Sequence, residues 1–161
     1  MSADVTTILS QADIDALKAR YELTVMLGAS RAAVAAPYPP SKDYVEWIIK
    51  NLYEGGSVAP RDRERTLIAL LASQSTGHSL MLAVHLYWGL MEGLSIAEIA
   101  DTLALTGVYM GLPHYTAALG TLTGTLKILG DLVARGADLD SRSVVGALKR
   151  AIQPDISPLT P

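Results

Sequence analysis

The sequence predicts an all-α fold in a single domain, and three observations carry that prediction. Apolar residues recur at helical spacing nearly throughout. Capping sequences and proline or glycine breaks cut the chain into helix-length pieces. No stretch sustains the apolar–polar alternation of a half-buried strand. At 161 residues the chain is long enough to enclose a core unaided.

Each element follows from local chemistry. Ser10 with Asp13 three residues on is a capping-box-like start, and Ile14, Leu17, Tyr21 and Val25 form the stripe behind it. "APYPP" (36–40) ends that region, because three prolines in four residues cannot continue a helix. A second helix starts at Ser41, carries Tyr44, Trp47, Ile48 and Leu52 as one stripe, and stops at Gly55-Gly56. Pro60, in the favoured first turn, opens a third helix through "RDRERTLIALLAS". Gly77 separates it from a fourth, "HSLMLAVHLYWGLMEG", on which Met81, Val84, His85 and Trp88 share a face, with Gly93 as its stop. "SIAE" (95–98) is a capping box for a fifth helix reaching Tyr109, where "MGLP" breaks it. Pro113 starts a sixth through "HYTAALGTLTGTLKIL", whose glycines and threonines make it dependent on tertiary packing. "GDLVARGADLD" reads as a helix end plus loop, "SRSVVGALKRAI" as a short terminal helix and "QPDISPLTP" as an irregular tail.

Composition narrows the function classes. Hydrophobic residues make up 50% of the chain and charged ones 18%, with mean hydropathy +0.28. That is oily for a soluble monomer, so either a membrane or a partner subunit should cover apolar surface. The uninterrupted apolar runs fall short of the ~20 residues a span needs, which makes a homo-oligomer the expectation and a membrane partner not expected. A net charge of −3 leaves no footprint for nucleic acid. The absence of cysteine removes disulfides, thiolate metal sites and thiol chemistry. The first residues show no basic start followed by an apolar block, so a cytoplasmic location is expected.

The order "NLYEGGSVAPRDRERTLIALLAS", "HLYWGLMEGLSIAEIADTL", "VYMGLP" resembles the carboxymuconolactone decarboxylase and alkyl hydroperoxidase D-like superfamily over roughly residues 43 to 130. The series His85, Gly93-Leu94-Ser95, Glu98-Ile99 and Tyr109-x-Gly111-x-Pro113 carries the match. The resemblance implies an orthogonal bundle of six to seven helices with its core at 41–130; outside it, an N-terminal helix and Pro-rich connection (1–40) and a C-terminal helix and tail (131–161) are read from the residues alone. The resemblance also implies a trimer or hexamer. The thiol peroxidase branch uses Glu, Cys-x-x-Cys and His. Anchoring on His85 puts its cysteine slots at His78 and Met81 and its acidic slot at Thr66. Glu64, two residues earlier, is rotated by about 200° on a helix and is not expected to take over. Methionine sulfur has no acidic proton and forms no reversible disulfide, so the thiol cycle has no starting atom.

The remaining chemistry centres on His85. It is either a core histidine packed against Trp88 and Met81 or a proton-transfer group, since a neutral imidazole near its pKa moves protons both ways. His78 lies two turns earlier, roughly 10 Å away along the axis, too far to share one metal ion, so no metal site is expected. Tyr109 is the candidate oxyanion holder, and Tyr87 and His114 flank the expected cleft. "RDRER" (61–65) is either a solvated face, with Asp62 and Glu64 offsetting the arginines, or a set of guanidiniums with partners across an interface or on a substrate carboxylate. The expected function is a thiol-free, cofactor-independent decarboxylase-like lyase acting on a small acidic or lactone-type metabolite. His85 and Tyr109 would be catalytic, with His78, Arg63, Arg65, Trp88 and His114 around the substrate. The alternative is a non-catalytic oligomeric binding or scaffold protein of the same fold.

Overall fold

A computed structural model describes residues 4–25, 27–28, 41–74 and 79–152. The proline-rich 36–40, Gly77, His78 and the tail 153–161, all read from the sequence, lie outside the described residues. After a 3-10 turn at Val5–Thr7, the elements are α1 Gln11–Lys18, α2 Ser41–Ile48, a π-helical turn Ile49–Glu54, α3 Pro60–Ala72, α4 Ser79–Met91, α5 Ile96–Met110, α6 Leu112–Ala134 and α7 Ser141–Ile152. No strand occurs among the described residues.

The caps read from the sequence are formed. The Ser10 hydroxyl accepts from the Asp13 N–H while the Asp13 carboxylate accepts from the Ser10 N–H, and Ser95 with Glu98 repeats the arrangement on α5. Each such cap is worth about 1 kcal/mol. Pro60 begins α3, Gly93 (φ +97°) follows the end of α4, and Gly111-Leu112-Pro113 turns α5 into α6. α1 ends at Lys18, so Tyr21 lies beyond the helix that its spacing suggested.

α4 is the central helix: every residue from Leu82 to Met91 is buried. A helix apolar on all sides must be surrounded, and α3, α6, α7, α1 and α5 surround this one. α6 packs beside it through Ala118, Leu122, Leu126, Leu129 and Leu132. Each fully enclosed leucine contributes roughly 1.5–3 kcal/mol. By length and composition α6 could cross a bilayer, yet that stripe is part of the bundle core. Its threonines satisfy their hydroxyls on carbonyls one turn back, as Thr125 does on Thr121 at 2.8 Å.

The second helix departs from the expected stripe. Tyr44, Trp47 and Leu52 are exposed, and Ile49 is the buried residue instead. α2 packs chiefly on the π-helical turn, not on the bundle, and the wider winding there shifts which residue points inward. The N-terminal segment is tied to the bundle by Tyr21 Oη donating to Glu92 (3.2 Å) and by the Glu22 N–H donating to Ser141 Oγ (2.8 Å).

Candidate functional site

On α3 the buried stripe runs Glu64, Ile68, Ala72, at i, i+4 and i+8. A carboxylate in the first position of an apolar stripe is carried into the core by its neighbours and must find a partner there. Its partner is His85 on α4: Glu64 Oε2 lies 2.8 Å from His85 Nδ1. Glu64 is fully enclosed and His85 is 6% exposed. The helices come close enough because residue 89, one turn along α4, is glycine. A Cβ there would stand 3.0 Å from Ile68 Cδ1 and 3.9 Å from Glu64 Cβ.

The hydrogen bond assigns the ring chemistry. With the Glu64 carboxylate as acceptor, Nδ1 is the donor, and Nε2 has no protein partner among the described residues. Beside the ring, Trp88 stands edge-on with centroids 5.0 Å apart. Arg63 joins from the adjoining position of α3: Nε lies 3.4 Å from Glu64 Oε1, Nη1 reaches the Leu52 carbonyl at 3.4 Å, and Cζ sits 4.1 Å over the Tyr53 ring. Two donors in this cluster are enclosed and unpaired, Arg63 Nη2 and Trp88 Nε1, on residues 8% and 4% exposed. Burial pushes the Tyr53 hydroxyl up to about 12, with the Glu64 charge adding and Arg63 opposing. Tyr21 is raised further, first by burial, then by Glu92, with Glu64 also contributing. Both phenols therefore stay neutral in the field of this carboxylate.

Of the residues singled out in the sequence, the structure brings His85, Trp88 and Arg63 together. Arg65 is elsewhere: with Arg61 it clasps Glu98 of α5, at 3.1 Å for Arg65. The sequence left the partners of these arginines to an interface or a substrate, but the same chain supplies them. Ser95 and then the two guanidiniums hold the Glu98 carboxyl below its ordinary value. Arg63 and Glu64 are buried, which corrects the reading of "RDRER" as a solvated face. Tyr109, the candidate oxyanion holder, is 82% exposed. His114, in the first turn of α6, has an enclosed Nδ1 without a partner. Among the described residues no hydrogen bond, ion pair or ring contact joins Arg65, Tyr109 or His114 to the cluster. His78 lies outside the described residues.

The residue missed by sequence reasoning is Glu64. Thr66, at which the thiol-branch spacing places the acidic slot, spends its hydroxyl on the Asp62 carbonyl at 2.9 Å within its own helix. The signal that pointed to Glu64 was its place in the apolar stripe with Ile68 and Ala72. A cavity of about 440 Å³ lies between residues 6–18 and the α4–α5 junction, lined by Leu9, Ile14, Lys18, Leu90, Leu94 and Ile96 among others, and none of the cluster borders it. Among the described residues no three of His, Asp and Glu converge as a metal ion would require.

No curated protein and no solved structure matches the chain. The Carboxymuconolactone decarboxylase family model matches residues 49–123, just under half of the chain. That span contains the π-helical turn, the whole cluster and the α5–α6 elbow, and across it the chain resembles the carboxymuconolactone decarboxylase and alkyl hydroperoxidase D-like superfamily in a cysteine-free form.

Proposed function

We propose that the chain is a cofactor-independent, carboxymuconolactone decarboxylase-like lyase that acts on a small acidic or lactone-type metabolite by general acid–base chemistry. The observation that carries this reading is the enclosed Glu64–His85 hydrogen bond at 2.8 Å. A carboxylate on Nδ1 fixes the tautomer, directs Nε2 at the reacting atom and stabilises the imidazolium formed when Nε2 takes a proton. In a decarboxylation the bond from carbon to the carboxyl group breaks and its electron pair moves into a conjugated carbonyl, giving an enolate oxyanion. His85 Nε2 first takes the proton of the substrate's carboxyl group, and the imidazolium so formed returns it to carbon as CO2 departs. The unpaired donors Arg63 Nη2 and Trp88 Nε1 supply what a carboxylate or a developing oxyanion needs, the part that the sequence assigns to Tyr109.

The test is turnover and proton exchange. Candidate β-keto or vinylogous acids and their lactones are incubated in D2O, and release of CO2 or deuterium incorporation is followed by NMR. His85→Gln and Glu64→Gln should lose most of any turnover, roughly 10²–10⁴-fold for a proton-transfer residue. Full activity in His85→Gln would remove the reading.

The same proposal includes self-association as a trimer or hexamer with a small molecule as the other partner. It is supported by the exposure of Leu105, Val108, Tyr109 and Leu112 around the α5–α6 elbow. The exposed elbow and the near-complete enclosure of His85 also favour the second reading, a non-catalytic oligomeric protein that keeps the fold. Proton exchange at a bound substrate would exclude it.

A further inference from the structure

Arg63 is held on three sides. Nε meets Glu64, Nη1 meets the Leu52 carbonyl, and the face of the guanidinium lies on the Tyr53 ring. Only Nη2 is left, enclosed and unpaired. Two of these restraints come from consecutive residues of the π-helical turn Ile49–Glu54, and the glycines after it close it tightly. A Cβ at residue 56 would stand 2.6 Å from the Leu52 oxygen, and one at residue 55 would stand 2.9 Å from the Lys50 oxygen. The segment "NLYEGG" thus places a carbonyl and an aromatic face against one guanidinium. A π-helical turn is otherwise less stable than a continued α-helix and often marks a functional position.

We propose that Tyr53 is a positioning residue. Through the face of its ring, and with the Leu52 carbonyl, it fixes the Arg63 guanidinium so that Nη2 is presented to a carboxylate of the substrate, on the same Glu64 that orients His85. This rests on the reading of the cluster as a site for an acidic substrate, and it adds how the anion-binding donor is aimed. The contact is to the ring face, so the phenol oxygen is dispensable and the ring is not. Restraint before binding matters because an arginine free to rotate would lose rotamer entropy at each binding event.

The experiment uses the full chain and benzoate as probe. Arg63 and Trp88 side-chain N–H signals are assigned in 15N spectra from Arg63→Lys and Trp88→Phe. In the wild type the Arg63 Nη signals should be resolved, as for a guanidinium that does not rotate freely, and benzoate should shift them together with the Trp88 Nε1–H. Tyr53→Leu should merge the Nη signals and weaken benzoate about tenfold, the scale of a lost partly buried cation–π contact. Tyr53→Phe should keep both within twofold. The melting temperature and the His85 ring signals should persist in Tyr53→Leu, which a purely structural role would not allow. Unchanged Nη signals and benzoate affinity in Tyr53→Leu, or equal losses in Tyr53→Phe, would overturn the proposal. Failure of benzoate to shift the wild type would overturn the acidic-substrate reading instead, and the ligand-free Nη pattern would still decide the role of Tyr53.

Discussion

Glu64 and His85, twenty-one residues apart in sequence, share a 2.8 Å hydrogen bond between two enclosed side chains. Neither can be removed without leaving the other as an unpaired polar group in the core, and the unequal costs of isosteric and truncating substitutions follow from that.

Glu64→Gln keeps the volume and an acceptor on His85 Nδ1, so its loss should stay near 1 kcal/mol while any proton transfer by His85 suffers. Glu64→Ala should cost more, about 3–5 kcal/mol, because Arg63 and His85 lose their partner and a cavity opens. Urea unfolding of the two variants decides this. Equal midpoints would mean that the pair is not the buried contact described.

His85→Ala should cost roughly 1–3 kcal/mol for the stranded Glu64, beyond the volume lost beside Trp88. A variant as stable as the wild type in thermal unfolding would show that the core has no need of the imidazole.

Light scattering at micromolar concentration should give a multiple of the 17.1 kDa chain mass. Val108→Glu, at an exposed position beside Tyr109, should lower that mass without loss of helicity. A monomeric wild type would contradict the proposed association.

Asp140 predicts an acid limb. It caps α7 by accepting from the Ser143 hydroxyl and N–H, with the Arg142 N–H adding, and these bonds hold its carboxyl down to about 2 from an ordinary 3.8. A depressed folded value stabilises the fold above the unfolded pKa, and that stability is lost as pH falls from 3.8 through about 2. Asp140→Asn should therefore flatten the fall in unfolding midpoint across this window while keeping most of the cap above it. A wild-type slope in the variant would show that another group sets the limb.

Hydroperoxide reduction should stay at the buffer blank in a metal-free and haem-free preparation, with or without a dithiol, since the chain has no thiol to oxidise. Turnover that depends on the protein would point to a different chemistry.

Where local chemistry decides, the sequence was legible. Ser10 with Asp13, Ser95 with Glu98, Pro60 and Gly111-x-Pro113 delimit helices because caps and breaks act within four residues. His85, Gly93 through Ser95, Glu98-Ile99 and Tyr109-x-Gly111-x-Pro113 carried the family resemblance that the match over 49–123 supports. The absence of cysteine, likewise a property of the sequence alone, removed the thiol route.

What meets His85 was decided only in three dimensions. Counting from the thiol-branch spacing led to Thr66, and helical rotation argued against Glu64. The actual direction of Glu64 depends on the approach of α3 to α4, permitted at Gly89 and set by the packing of Ile68. Tyr44 and Trp47 look like core residues by spacing but stand exposed, because periodicity fixes which residues share a face and not whether anything covers that face. Arg63 shows the same limit. Its neighbours at Leu52 and Tyr53 are brought to it by a π-helical turn, and hydrophobic periodicity at 3.6 residues per turn carries no signal for a turn wound more widely.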